Sequence, residues 1–156
     1  MVRSGYRGTT VSTTSAAEAR EIQFLRLHLE THGIGRAAPF VDDGLIDRLC
    51  SIVVEMEQAA NAGDEYTLTE FDCEFHLAIF ERAGLPALDA ILSRCLLHLH
   101  RVTLAEPGRT RPLLISAQRH WEVIEALRTR DSGTAVVAIT HHINTVLETG
   151  IAGEEG

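Results

Sequence analysis

Residues 67–86 read Thr-Leu-Thr-Glu-Phe-Asp-Cys-Glu-Phe-His-Leu-Ala-Ile-Phe-Glu-Arg-Ala-Gly-Leu-Pro. Leu68, Phe75 and Ile79 recur at helical spacing, and the pattern runs on until Gly84 and Pro86 stop it. Thr67-Leu68-Thr69-Glu70 has the form of a capping box, so a helix is predicted to open there. Asp72 and His76 are four apart and share the face of Leu68, Phe75 and Ile79, which makes that face the inner one. A carboxylate and an imidazole turned inward are costly unless both bind something. A pair at this spacing also has the reach to hold one metal ion together.

The helical period extends outward in both directions. A first helix is expected from about Ala16 to His32, with Ile22, Leu25, Leu29 and Phe24 inward and Gly33 and Gly35 ending it. Pro39 and Asp42-Asp43 mark a boundary and a cap before a second helix, Gly44 to Ala62, that buries Leu45, Leu49, Ile52, Val53 and Met56. A fourth helix covers Ala87 to Leu104 and is broken by Pro107-Gly108. A fifth runs from Pro112 to Thr129, and a sixth from an Asp131-Ser132 cap to about Glu148. No stretch alternates as a half-buried strand would, and the apolar run Ala135–Ile139 lies among helical neighbours. The expected fold is an all-α antiparallel bundle of about six helices, residues 16–148, between a Gly/Ser/Thr-rich leader (1–15) and a frayed tail (149–156).

The chain has 156 residues, which suits one domain. It has no apolar run long enough for a membrane span and no apolar signal-peptide core, so a cytoplasmic location is the expectation. The net charge of −8 speaks against nucleic-acid binding by the body itself. Residues 1–17 differ, because Arg3 and Arg7 have no acidic neighbours there. Cys50, Cys73 and Cys95 are odd in number and widely spaced, which fits small core residues and neither a disulfide framework nor a zinc ribbon.

Two further helices place polar residues on their inner stripes. His120 lies in line with Leu113, Ala117, Ile124 and Leu127, and His142 with Ala135, Ala138, Ile139 and Val146. His141 falls nearer the outer face. Asp72, His76, His120 and His142 therefore supply one carboxylate and three imidazoles from three helices, a set suited to Zn²⁺, Ni²⁺, Mn²⁺ or Fe²⁺ without choosing among them. One inward histidine is ordinarily a hydrogen-bonded core residue; the convergence of three with an aspartate favours a metal site. Arg26 and Arg101 are candidate partners for a carboxylate. Of His98 and His100, two apart, at most one can point inward, and Trp121 is expected to pack between helices. Ser116, four before His120, is a weak catalytic signal, with no GxSxG and no Gly-rich phosphate loop in the chain.

These residues also resemble a family. Asp72-Cys-Glu-Phe-His76, followed by Ala83-Gly84-Leu85-Pro86, is similar to the D-x-x-F-H segment of the FCD domain, the C-terminal effector-binding domain of FadR-type regulators in the GntR family. Arg119-His120-Trp-Glu-Val-Ile-Glu-Ala-Leu127 resembles its H-x-x-I-x-x-A-L segment, with Val123 at the usual Ile. Arg130-Asp131 through His142-Ile143 resembles its last helix, and Arg26-Leu27-His28-Leu29-Glu30 its first. The resemblance implies a helical domain with a central cavity, a metal held by Asp72, His76, His120 and His142, and a small carboxylic acid beside it, neutralised by Arg26 or Arg101. It also implies a homodimer. Leu85 departs from the family, which usually has Asn there. The winged helix-turn-helix that normally precedes the domain is mostly missing, and Gly5–Val11 looks like the end of a wing, so DNA binding by this chain is not expected. The function expected is effector sensing for a transcriptional regulator. The alternatives are a small helical-bundle metalloenzyme of hydrolase type and an interaction bundle without metal. The enzyme needs a general base, and Glu74 and Glu122 both fall off the inner face.

Overall fold

The computed structural model describes residues 15–106, 108 and 110–151, with the backbone alone for 146–151. The Arg3, Arg7 and Gly5–Val11 features, Pro107, the side chains of Val146 and Glu148, and the end of the tail lie outside the described residues. Helices follow in the order α1 (Ala16–Ala37), a 3₁₀ turn (Ala38–Phe40), α2 (Asp43–Asn61), α3 (Glu65–Glu81), α4 (Pro86–Ala105), α5 (Leu113–Gln118), α6 (His120–Arg128) and α7 (Ser132–Ile151). No strand occurs among the described residues. Only Arg119 separates α5 from α6, so the chain builds six helical rods in an antiparallel bundle. α2 packs on α3, α5 and α6; α1 lies against α7, α4 and α3; and α6 lies against α7.

Short polar residues start the helices. Asp42, Asp64 and Asp131 accept hydrogen bonds from the backbone N–H groups of Leu45 (2.8 Å), Thr67 (3.1 Å) and Thr134 (2.8 Å). The capping box of this chain is Ser15 with Glu18, at the start of α1. Thr67-x-x-Glu70 is not one, because Asp64 caps α3 and Thr67 is already inside it. The end of α3 is as expected: Gly84, at φ +67°, takes the left-handed turn that a side chain disfavours.

The main core joins Leu49, Val53 and Met56 of α2, Phe75 of α3, Ile124 and Leu127 of α6, and Ile139 and Ile143 of α7. The inward residues predicted for the second helix are all buried. A smaller cluster joins Leu29, Phe80, Leu92 and Leu96 from α1, α3 and α4. Val137 is 70% exposed while Ala135 and Ile139 are buried, the signature of a helix in the run 135–139.

The first helix departs from expectation twice. It does not stop at Gly33 but continues to Ala37. A Cβ on Gly33 would lie 2.3 Å from Cδ2 of Phe80, so the glycine lets α1 close onto α3 rather than ending the helix. Its orientation also differs. Phe24 is 67% and Leu25 44% exposed, Ile22 is half-buried, and only Leu29 of the predicted apolar set is fully inside. The buried stripe of α1 is instead Gln23, Arg26, Leu29 and Glu30, followed by Gly33, Ile34 and Ala37.

Gly33→Ala should destabilise the domain by roughly 1–3 kcal/mol through overpacking against Phe80, despite the better helix propensity of alanine. A urea unfolding midpoint equal to or above that of the wild type would contradict this packing.

Candidate metal centre

α3 supplies Asp72 and His76 one turn apart, α6 begins at His120, and α7 contributes His142. The structure brings all four sequence-predicted residues together. One donor atom from each lies within 4.8 Å of the others. That is slightly looser than the spacing of about 3.3–4.3 Å between donors around one ion at about 2.1 Å. The imidazole rings of His76, His120 and His142 stand 4.3–5.6 Å apart by centroid. Phe75 packs its ring edge-on against His120 at 4.8 Å and His76 at 5.5 Å, which limits how either can turn.

The hydrogen positions follow from the acceptors. Nδ1 of His120 faces the carbonyls of Ser116 (3.1 Å) and Ala117 (3.0 Å), which only accept, so Nδ1 carries the hydrogen. It is thus the carbonyl of Ser116, not its hydroxyl, that touches His120. Nε2 of His120 then turns its remaining position to Oδ1 of Asp72 at 2.9 Å. Two lone pairs facing each other at that distance require a cation between them, a proton or a metal ion. Nδ1 of His76 donates to Oε2 of Glu30, which leaves Nε2 as an acceptor, 3.8 Å from Oδ1 of Asp72. Both nitrogens of His142 are buried and have no partner. A buried imidazole without partners is costly as a core residue and ready-made as a ligand. The donor set therefore fits a divalent transition metal.

Arg26 and Glu30, both 4% exposed, cover the centre from α1. Nε of Arg26 donates to Oε1 of Glu30 at 2.6 Å, and Nη2 lies 3.2 Å from Nε2 of His76. Burial alone would raise the Glu30 carboxyl, but the neighbouring His76 and Arg26, both hydrogen-bonded to it, outweigh burial and hold the group below its ordinary value. Burial opposes ionisation of Asp72 in the same way; the neighbouring His76, His100 and His120 pull it well below the ordinary value. His142 is pushed well below 6.5 by burial and then by His120 and His76.

Sequence reasoning missed Glu30 and His100 as parts of the site. Glu30 fixes the tautomer of His76, the role carboxylates commonly play behind metal-binding histidines. It lies four after Arg26 on α1, and that spacing was the available signal. His100 of α4 is half-buried and donates from Nε2 to Oδ2 of Asp72 at 2.9 Å, while His98 is exposed. Nδ1 of His100 accepts from the thiol of Cys73 at 3.2 Å, and burial with the nearby Asp72 charge pushes that thiol up to about 12. Arg101 is exposed on α4. Glu74 (47% exposed) lies 3.7 Å from Arg48, and Glu122 (67%) lies 3.5 Å from the outward His141. Trp121 packs half-buried and donates to Glu57 at 2.9 Å.

The sequence profile of the FCD domain matches residues 21–145, most of the chain. The chain belongs to the FCD domain family. Two solved structures share the bundle. Streptococcus agalactiae GntR aligns with a TM-score of 0.73 and 25% identity over 89% of this chain and 62% of its own length. E. coli McbR/YncC aligns with a TM-score of 0.74 and 19% identity over 86% and 68%, a likeness of fold. This FCD domain thus spans about two thirds of the length of those regulators. No curated protein matches the sequence. No helix among the described residues is long and apolar enough to cross a membrane.

The depressed His142 gives the metal-free FCD domain a defined acid sensitivity. As pH falls below about 6.5 the unfolded chain takes up a proton that the folded chain refuses, so stability drops at up to about 1.4 kcal/mol per pH unit. Urea midpoints of chelator-treated protein between pH 7.5 and 5 should show this loss, and His142→Leu should flatten it. An equally steep loss in the variant would count against the buried neutral imidazole.

Proposed function

We propose that this domain senses a small carboxylic acid for a GntR-family transcriptional regulator, with Asp72, His76, His120 and His142 holding a divalent transition metal. The observation that carries the proposal is the convergence of these four side chains, with both nitrogens of the buried His142 unpartnered. Three imidazoles and a carboxylate suit Zn²⁺, Ni²⁺, Mn²⁺ or Fe²⁺. When bound, such an ion offers open coordination positions to a carboxylate.

The chain's own residues do the remaining work. Glu30 holds His76 in the tautomer whose Nε2 faces the centre, and the Ser116 and Ala117 carbonyls do the same for His120. Arg26 supplies buried donors in a planar fork matched to a carboxylate, and we assign it that role in preference to the exposed Arg101. Gln23, on the same buried stripe, has an unpartnered amide nitrogen that a polar effector can satisfy. Operator binding belongs to a winged helix-turn-helix of the whole regulator, and this domain contributes the effector response within a homodimer.

Mass spectrometry of the purified protein should find about one transition metal per chain, lost in His76→Ala. His76→Ala and His120→Ala should lower the melting temperature more in the presence of metal than after chelation, when only their buried packing and hydrogen bonds are lost; an equal loss under both conditions would count against a metal at these residues. Wild type and both variants melting alike under both conditions would refute the four-ligand centre.

A further inference from the structure

Nη2 of Arg26 lies 3.2 Å from Nε2 of His76. Because the Glu30 carboxylate fixes the hydrogen on Nδ1, Nε2 presents a lone pair, and the guanidinium, which has donors only, fills it. The four-residue centre needs that same lone pair for a metal. We infer that Arg26 is a built-in competitor of the metal: guanidinium and divalent ion are alternative partners of His76 Nε2, and their exchange sets the metal affinity of the domain. This rests on the four-ligand reading above.

The local charges favour an exchange over simultaneous occupancy. Without metal, Arg26 is the buried cation beside two carboxylates, Glu30 and Asp72. A divalent ion neutralises the same two groups, and a guanidinium left against it would be a like charge in a low-dielectric interior. Turning the Nη end aside removes that conflict. The bond from Nε of Arg26 to Glu30 can persist during this turn, because it uses a different donor. The released Nη donors are then short of an acceptor in a buried setting, and an effector carboxylate supplies one. Metal and carboxylate should therefore strengthen one another's binding, and equally in both directions.

The test is Zn²⁺ affinity, read by competition with a chromophoric chelator in carboxylate-free buffer, for wild type and Arg26→Gln. The variant should bind zinc at least about tenfold more tightly, since removing one buried like charge at this range is worth that much or more. Arg26→Gln leaves Glu30 with one partner fewer, so the comparison is repeated between Glu30→Gln and the Arg26→Gln/Glu30→Gln double variant, where the same gain is expected. Long-range proton–nitrogen spectra of the metal-free proteins read the contact itself: on replacement of Arg26 the His76 Nε2 resonance should move toward the value of a free, unprotonated imidazole nitrogen, opposite to the shift that protonation would cause. Equal or weaker zinc binding in the variants, or an unmoved Nε2 resonance, overturns the competition alone. Zinc binding by neither wild type nor variant overturns the four-ligand reading and this inference together.

Discussion

A carboxylate taken out of water costs several kcal/mol unless its charge is met by fixed partners. Asp72 sits in the interior of this bundle with a side chain only 15% exposed. Its two oxygens are divided: Oδ1 faces His120 and His76, and Oδ2 accepts from His100. The surrounding polar residues are arranged as consequences of that charge. Glu30 and the carbonyls at the α5–α6 junction occupy Nδ1 of His76 and His120, so both rings turn Nε2 toward Asp72. Arg26 balances the carboxylates that result. His142 is the exception, buried with neither ring nitrogen hydrogen-bonded, which is costly for a core residue.

The four central residues were legible in the sequence because each violates an otherwise regular apolar stripe. On α3, α6 and α7 the stripe is strong, so an aspartate or histidine within it stands out. α1 was misread for the opposite reason. Before Gly33 its inner face is Gln23, Arg26, Leu29 and Glu30, and its outer face carries Phe24 and Leu25. Periodicity finds the more apolar side of a helix and assumes that this side faces the core. Where the local core is polar, that assumption inverts the helix. Glu30 was hidden by this inversion, and His100 by lying on a helix whose other residues gave it no contrast.

The boundaries show the same division between local and tertiary causes. Aspartates ahead of α2 and α7 cap them as their sequence suggests, because a cap is a contact over three residues. Gly33 reads as a stop signal by composition, yet α1 passes through it. Its reason is Phe80, 47 residues away, which no local pattern contains. The interruption at Arg119 is equally silent in the sequence. It places the carbonyls of Ser116 and Ala117 at the Nδ1 atom of the first residue of α6.

The way the helices pack gives the polar centre leverage. The main backbone packing of α3 is on α1, α2 and α4, whereas α6 and α7 pack on each other and on α2 and α1 respectively. The connection from Asp72 and His76 on α3 to His120 on α6 and His142 on α7 is therefore made chiefly by side chains meeting at the centre. A bundle stitched this way has two kinds of joint. The apolar seams join α2 to α3 and to α6. The polar joint rests on the few contacts that Asp72 and His76 make with the facing imidazoles. Contraction of donor atoms from a 4.8 Å spread onto one ion would draw α3, α6 and α7 together, while release of Arg26 would loosen the hold of α1 on α3. A ligand shifts a conformational equilibrium only through differential contacts in its two states, and one held at this centre would place those contacts on the helices whose backbones are least committed to one another.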